Sequence, residues 1–273
     1  MSLLNIKSGR VVFKDKTKFT TSSVYSYDSD ALNYIASVET ADGQTLEEPV
    51  KIAYNDFIVG CKDDGIWNAL KASCILAGAR TLNGALIPLV GTAPSSFNFV
   101  SADYNRKTGL KGNGTNKRLN TNRRTNTDPQ NSKHTSIYVT ERETSTSKTY
   151  MGGSDVSGST IIRLGTTSNG VGFRINSSSR LNLANGNVNN AFLGASRSNA
   201  TQITFLVPGF TAFAISNSSA TPTNEALQVF SSGTSTAFSI ARISFYSIGE
   251  ALDLDKLNTR VSALMTSING AIA

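Results

Sequence analysis

From residue 74 onward, short apolar runs recur between stretches of Gly, Asn, Ser and Thr. Strands are predicted over 74–79, 93–100, 134–140, 160–164, 172–175, 191–195, 201–207, 210–215, 226–230 and 238–248. Phe97 and Phe99 repeat at a period of two. Thr211-Ala212-Phe213-Ala214-Ile215 and the run 237–245 alternate in the same way, which is the period of a strand with one buried and one wet face. Many short strands at regular spacing, punctuated by turn residues, predict a mainly β chain folded as an antiparallel β-sandwich or jelly roll.

Other stretches carry the helical period. Pro49, preceded by Glu47 and Glu48, suits a first turn. Ile52, Phe57, Ile58 and Cys61 then share a face until Asp63-Asp64-Gly65 breaks it. Ile66, Trp67 and Leu70 form a second short apolar stripe, within which Trp67 is expected as a core anchor. Near the end, Asp253 is an N-cap and Asp255 favours the first turn. Leu254, Leu257, Val261, Leu264 and Ile268 mark one face, Gly270 offers a stop, and the helix is expected to dock on the sandwich. Ahead of residue 49, short strand candidates at 10–13 and 18–20, with Tyr25, Tyr27 and Tyr34, predict an N-terminal arm or small β attachment segment, too short to own a core and packed on the main domain or on a neighbouring subunit. The expected division is therefore an arm over 1–48 and, over 49–273, a helical lead-in, sandwich and closing helix.

Charge adds one feature. The 273 residues carry a formal charge of +7 with only 16% charged residues, so Ser, Thr and Asn supply the wet surface. Between Tyr104 and Arg124 stand Arg106, Lys107, Lys111, Lys117, Arg118, Arg123 and Arg124, with no acidic residue among them. Such a run forms a solvated edge or meets phosphate, sulfate or an acidic patch on a neighbouring subunit. Nucleic acid is not expected, because only Tyr104 is near enough to stack on a base. No apolar run reaches membrane-span length, and the first residues show no secretion leader. Cys61 and Cys74 read as buried free thiols.

Little points to catalysis. The single histidine, His134, gives neither a triad nor a histidine-rich zinc site. Capping accounts for the Asp253 and Asp255 pair, and Asp63 with Asp64 is the other acidic pair a calcium site would draw on. Glu141-Arg142-Glu143 places two carboxylates on one face of a strand, as glycosidases of this architecture do, but lacks a third carboxylate and a flanking Trp. No enzyme activity, metal or cofactor is expected.

Four motifs occur in order: Asp64-Gly65-Ile66-Trp67-Asn68-Ala69-Leu70-Lys71-Ala72; Phe97-Asn98-Phe99; Gly112-Asn113-Gly114-Thr115-Asn116 with Leu119-Asn120-Thr121; and Phe245-Tyr246-Ser247-Ile248-Gly249-Glu250-Ala251-Leu252. Together, over roughly residues 50–270, they resemble the concanavalin A-like, laminin G-like jelly-roll domains of tailed-bacteriophage virion proteins. The resemblance implies geometric roles for Gly112, Gly114 and Asn116 and core positions for Phe245 and Ile248. It also implies a structural protein of the virion, assembled in the host cytoplasm as a homo-oligomer with other virion proteins. The alternative is a host-surface glycan-binding adhesion module, with Tyr104 or Tyr246 as the aromatic platform. A polysaccharide depolymerase is the third and least favoured reading.

Overall fold

The computed structural model describes residues 6–7, 10–11, 25–164, 170–184 and 189–273. Two short strands, β1 (Ile6–Lys7) and β2 (Arg10–Val11), pair antiparallel. The expected strand at 18–20 and the remainder of that at 10–13 lie outside the described residues. Helix α1 (Ser29–Asp42) follows. The Asp28 carboxylate caps it by accepting from the Asp30 N–H, and Gly43 ends it at φ +67°. Its buried residues, Ala31, Tyr34, Ile35 and Val38, have helical spacing. The β alternative for the 1–48 segment is therefore corrected over Ser29–Asp42, which is helical and shares a core with α2 (Glu48–Asp63). Gly65, at φ +72°, turns the chain after α2. The second apolar stripe predicted at 66–70 is instead a 3-10 turn, Trp67–Ala69, leading into β3 (Leu70–Ile75).

The short helix α3 (Leu82–Ala85) comes next, then β4 (Ser95–Phe97), β5 (Tyr104–Asn105), β6 (Gly109–Lys111) and β7 (Arg118–Arg124). They are followed by β8 (Lys133–Glu141), β9 (Thr149–Gly152), β10 (Thr160–Leu164), β11 (Gly170–Ile175) and β12 (Leu181–Ala184). The last strands are β13 (Ala191–Arg197), β14 (Gln202–Leu206), β15 (Phe213–Ser216), β16 (Ala226–Val229) and β17 (Arg242–Gly249). Helix α4 (Leu254–Ala271) closes the chain, with Asp253 accepting from the Asp255 and Lys256 N–H groups.

These strands form two antiparallel sheets. One runs β12-β11-β10-β9-β16-β7-β4. The other runs β15-β14-β13-β8-β17-β6-β5, with β3 also pairing to β17. Between the sheets lies a core that includes Leu119, Ile137, Ile162, Phe173, Leu193, Phe205, Val229 and Ile243. The outer face of the second sheet carries Tyr138, Phe192 and Phe245, and these pack against Phe57, Ile58, Leu257 and Val261 of α2 and α4. Strand β17 is buried on both faces: Tyr246 and Ile248 face the sandwich while Phe245 meets the helices. That accounts for apolar residues on both of its faces, with only the small Ser244 and Ser247 between them. The layers are thus helices, eight-stranded sheet and seven-stranded sheet, as the strand pattern predicted for the β layers and the closing helix.

Candidate functional site

The amino end of α1 is tied to α2 by polar contacts. Asn55 Oδ1 accepts from the Asp28 N–H at 2.8 Å, and Asn55 Nδ2 donates to the Tyr25 hydroxyl at 2.9 Å. Lys62 Nζ bonds both Asp28 and Asp30 at 2.6 Å. The Lys62 ammonium holds the Asp28 carboxyl below its ordinary range, and the two carboxylates raise the Lys62 pKa. The same ammonium stands 5.7 Å from the centre of the Trp67 ring, within cation–π range.

Along α1, Asp30, Asn33, Tyr34 and Ser37 fall at i, i+3, i+4 and i+7 and form one stripe. With Trp67, Asn68, Leu70, Pro88, Leu89 and Val90 they line an open cleft of about 440 Å³. The opposite wall is pinned to β3 by the Leu89 N–H donating to Ser73 O at 2.8 Å and the Ser73 N–H donating to Val90 O at 3.0 Å. Trp67 also borders an adjoining recess of about 360 Å³ with Asp30, Lys62, Gly65 and Asn68. Trp67, the only tryptophan in the chain, packs against the helix-side core as expected but is only half-buried, so part of its ring also borders the cleft. The cleft thus pairs an aromatic ring with a carboxylate, two amides and a hydroxyl on rigid elements. It can stack against an apolar ring face and bond the hydroxyls around it. Sequence reasoning missed Asp30, Asn33, Ser37 and Asn68; the stripe on α1 was the available signal.

The residues singled out from sequence are dispersed. Arg106 forks onto Glu47 at 3.0 and 2.7 Å and also donates to Ala79 O and Gly78 O. Lys111 pairs with Glu141 at 2.6 Å, Lys117 with Asp103 at 2.5 Å, and Arg123 with Asp128. Arg118 lies 4.0 Å over the Phe97 ring, and Arg124 donates to Asn224 O at 2.9 Å. Lys107 lines a separate recess with Tyr138, Thr140 and Asn190. The expected single basic surface is therefore corrected: the seven cations divide between two sheets, and four are neutralised by carboxylates from other elements.

Neither expected tyrosine platform presents a free ring. Tyr246 is buried and donates to Cys74 Sγ at 3.4 Å; Tyr104 is half-buried and donates to Ala79 O at 2.7 Å. The turn at 112–117 is geometric, and its two glycines do different things. Gly114 adopts φ +73°, whereas a Cβ on Gly112 would lie 2.1 Å from Ser239 O. Asn113, not singled out beforehand, organises the turn: its Oδ1 accepts from the Thr115, Asn116 and Lys117 N–H groups. Asn116 accepts from Asn113 Nδ2 and, at its carbonyl, from Asn98 Nδ2.

Glu141 and Glu143 do not act as a facing pair. Glu141 is exposed and bonds Lys111 and Arg242. Glu143 is buried and accepts from the backbone N–H groups of Thr144, Ser145 and Ile240. Cys61 and Cys74 are free and buried, and burial pushes both thiols up to about 12, which leaves them inert. Asp64 forks onto Arg260 of α4. Among the described residues no cluster of three or more His, Cys, Asp or Glu is placed to hold a metal. No helix among them is long and apolar enough to cross a membrane.

No protein-family model matches the chain, and no curated protein matches its sequence. Its structure is similar to domain 4 of AbnA, a GH43 extracellular arabinanase from Geobacillus stearothermophilus solved with arabinotriose. That match has 14% identity, a TM-score of 0.39, and covers 62% of this chain and 82% of that one. It is also similar to the binding domain of botulinum neurotoxin serotype D, at 9% identity and TM-score 0.49, covering 71% of this chain and 50% of that one. A third is a carbohydrate esterase from the Shiga toxin-encoding bacteriophage phi24B, at 11% identity and TM-score 0.33, covering 59% and 88%. Identity and overlap at these levels do not assign the chain to any of their families.

Proposed function

We propose that this chain is a non-catalytic carbohydrate-binding module that serves adhesion. One observation carries the reading: the half-exposed Trp67 ring lines a cleft with Asp30, Asn33, Ser37 and Asn68. Sugars present flat C–H faces edged by hydroxyls. An indole face with carboxylate and amide groups around it matches that chemistry.

Because Trp67 is the sole tryptophan, its fluorescence reports on the cleft directly. A glycan array screened with the purified chain, followed by fluorescence titration of each hit, tests the proposal. A saturable change in Trp67 emission is expected. Loss of the ring in Trp67→Ala should weaken binding by about 2 kcal/mol, roughly thirtyfold in Kd. Hits that bind Trp67→Ala as tightly as the wild type would remove the cleft from the account.

The carrier of such a module is read from sequence. The ordered motifs over residues 50–270 support a place in a tailed-phage virion, assembled in the host cytoplasm, with other virion proteins and further copies of this chain as partners. Cryo-EM of purified particles tests this placement; particles lacking the chain would refute it.

A further inference from the structure

On the other side of the sandwich, three arginines converge on one aspartate. Strands β10 and β11 pair with Ile161 opposite Arg174 and Arg163 opposite Gly172. Ile162 and Phe173 face the core, so Arg163 and Arg174 stand on the outer face of the seven-stranded sheet. Arg180, just before β12, crosses the same face. A Cβ on Gly172 would lie 2.9 Å from its Cδ, so the absent side chain makes room for the arginine stem.

Asp155 is the common partner. Its Oδ2 accepts from Arg163 Nη1 at 2.5 Å and from Arg180 Nη1, and its Oδ1 from Arg174 Nη2 at 3.4 Å. Three cations facing one carboxylate leave a local excess of two positive charges. The connecting segments 165–169 and 185–188 contain no Asp or Glu. Glu225, the nearby acid, is taken up by Ser154, Ser159 and Thr223, whose donors all meet its Oε2. The fold satisfies the guanidinium groups only in part: Arg163 Nη2 donates to Ser147 O, Arg174 Nη1 to Ser177 O and Ser178 O, and Arg180 Nε to Asn182 Oδ1. Nε of Arg163 and Nε of Arg174 are buried with no acceptor among the described residues, and Arg174 is only 7% exposed. Holding like charges together is costly, and an incoming oxyanion relieves that excess of positive charge.

We infer that Arg163, Arg174 and Arg180 form a docking point for an acidic saccharide bearing a carboxylate or a sulfate. Forked guanidinium groups match the oxygens of such an anion. The outward positions beside them are Gly172, crossed by the Arg180 stem, and Asn182, whose Oδ1 accepts from Arg180 Nε at 3.0 Å, and neither is an aromatic ring. That disfavours nucleic acid, which also uses stacking platforms. The saccharide identity rests on the glycan-binding reading above, whereas the anion site does not depend on the Trp67 cleft.

Titration calorimetry at 50 and 500 mM NaCl tests this, with trigalacturonic acid, its neutral carboxyl-reduced form, a sulfated heparin tetrasaccharide and a ten-residue oligothymidylate as probes. The acidic saccharides should bind and the neutral form should not, and high salt should weaken the binding. The tighter of the two acidic saccharides identifies the anion. Arg180→Gln should weaken binding at least about tenfold, while Trp67→Ala leaves it unchanged. Asp155→Asn should tighten it by removing the competing carboxylate, a gain that a purely structural role for the cluster would not produce. Unchanged affinity in Arg180→Gln, equal binding of the neutral form, or equal binding of the oligothymidylate would each overturn the proposal.

Discussion

Lowering the pH should destabilise the fold through His134. This residue is fully buried at the start of β8. Its Nδ1 lies 2.6 Å from Glu250 O, which can only accept, so Nδ1 carries the proton and Nε2 accepts from the Ser247 hydroxyl. Burial pushes the imidazole down from 6.5 to about 4; the carbonyl bond and Asp128 oppose this, while Lys133 and Arg123 add to it. The depressed value means that the unfolded chain takes up the proton first as pH falls. Stability is therefore complete above about 6.5 and is lost as pH falls toward 4. At about 1.4 kcal/mol per pH unit, the loss reaches about 2 kcal/mol at pH 5 and about 3 kcal/mol at pH 4. Urea unfolding of the wild type and His134→Gln between pH 7 and 4 isolates it, since carboxylates titrate alike in both proteins. The wild-type curve should fall more steeply by those amounts. As the only histidine, its ring nitrogens can also be titrated by NMR without assignment. Parallel stability curves, or an NMR midpoint near 6.5, would refute the reasoning.

Four further substitutions probe the frame. Arg197 is buried, pushed down to about 10 by burial, and donates to the carbonyls of Ile175, Asn199, Gln202 and Asn217; Arg197→Met should cost about 3 kcal/mol in urea unfolding by stranding those acceptors. Gly112→Ala drives a Cβ against Ser239 O and should cost about 3 kcal/mol or more, whereas Gly114→Ala should cost about 1 kcal/mol for its left-handed backbone. A Cβ on Gly114 would also come within 2.9 Å of Ile240 Cγ2, a side-chain atom that can shift, so chemical denaturation of the two variants separates a clash with backbone from a mainly conformational requirement. Glu143→Gln replaces an acceptor of three backbone N–H groups and should lower stability by about 2 kcal/mol, with glycan binding at Trp67 unaffected.

Much of the architecture is written in local periodicity. Short apolar runs between turn residues marked the strands around Ile137 and Phe205, alternation marked the one around Ile243, and the 3.6-residue stripe identified α4, because each element must present one apolar face to a core. Helix α1 was equally legible in Asp28, in Ala31, Tyr34, Ile35 and Val38, and in Gly43; the tyrosines before it drew attention to strands instead. Polar β7 was harder, since only Leu119 and Thr121 are buried in it. What tertiary structure alone decided is which distant groups meet. Four cations of the basic run are neutralised by Glu47, Asp103, Asp128 and Glu141. Trp67 faces a cleft because α1 folds over it, and the arginine triad exists because β10 and β11 pair in one register beside Arg180. Periodicity determines how each segment divides its faces between core and solvent. Charge pairing and cleft formation depend on distances between segments far apart in the chain, and those are set only when the sheets and helices pack.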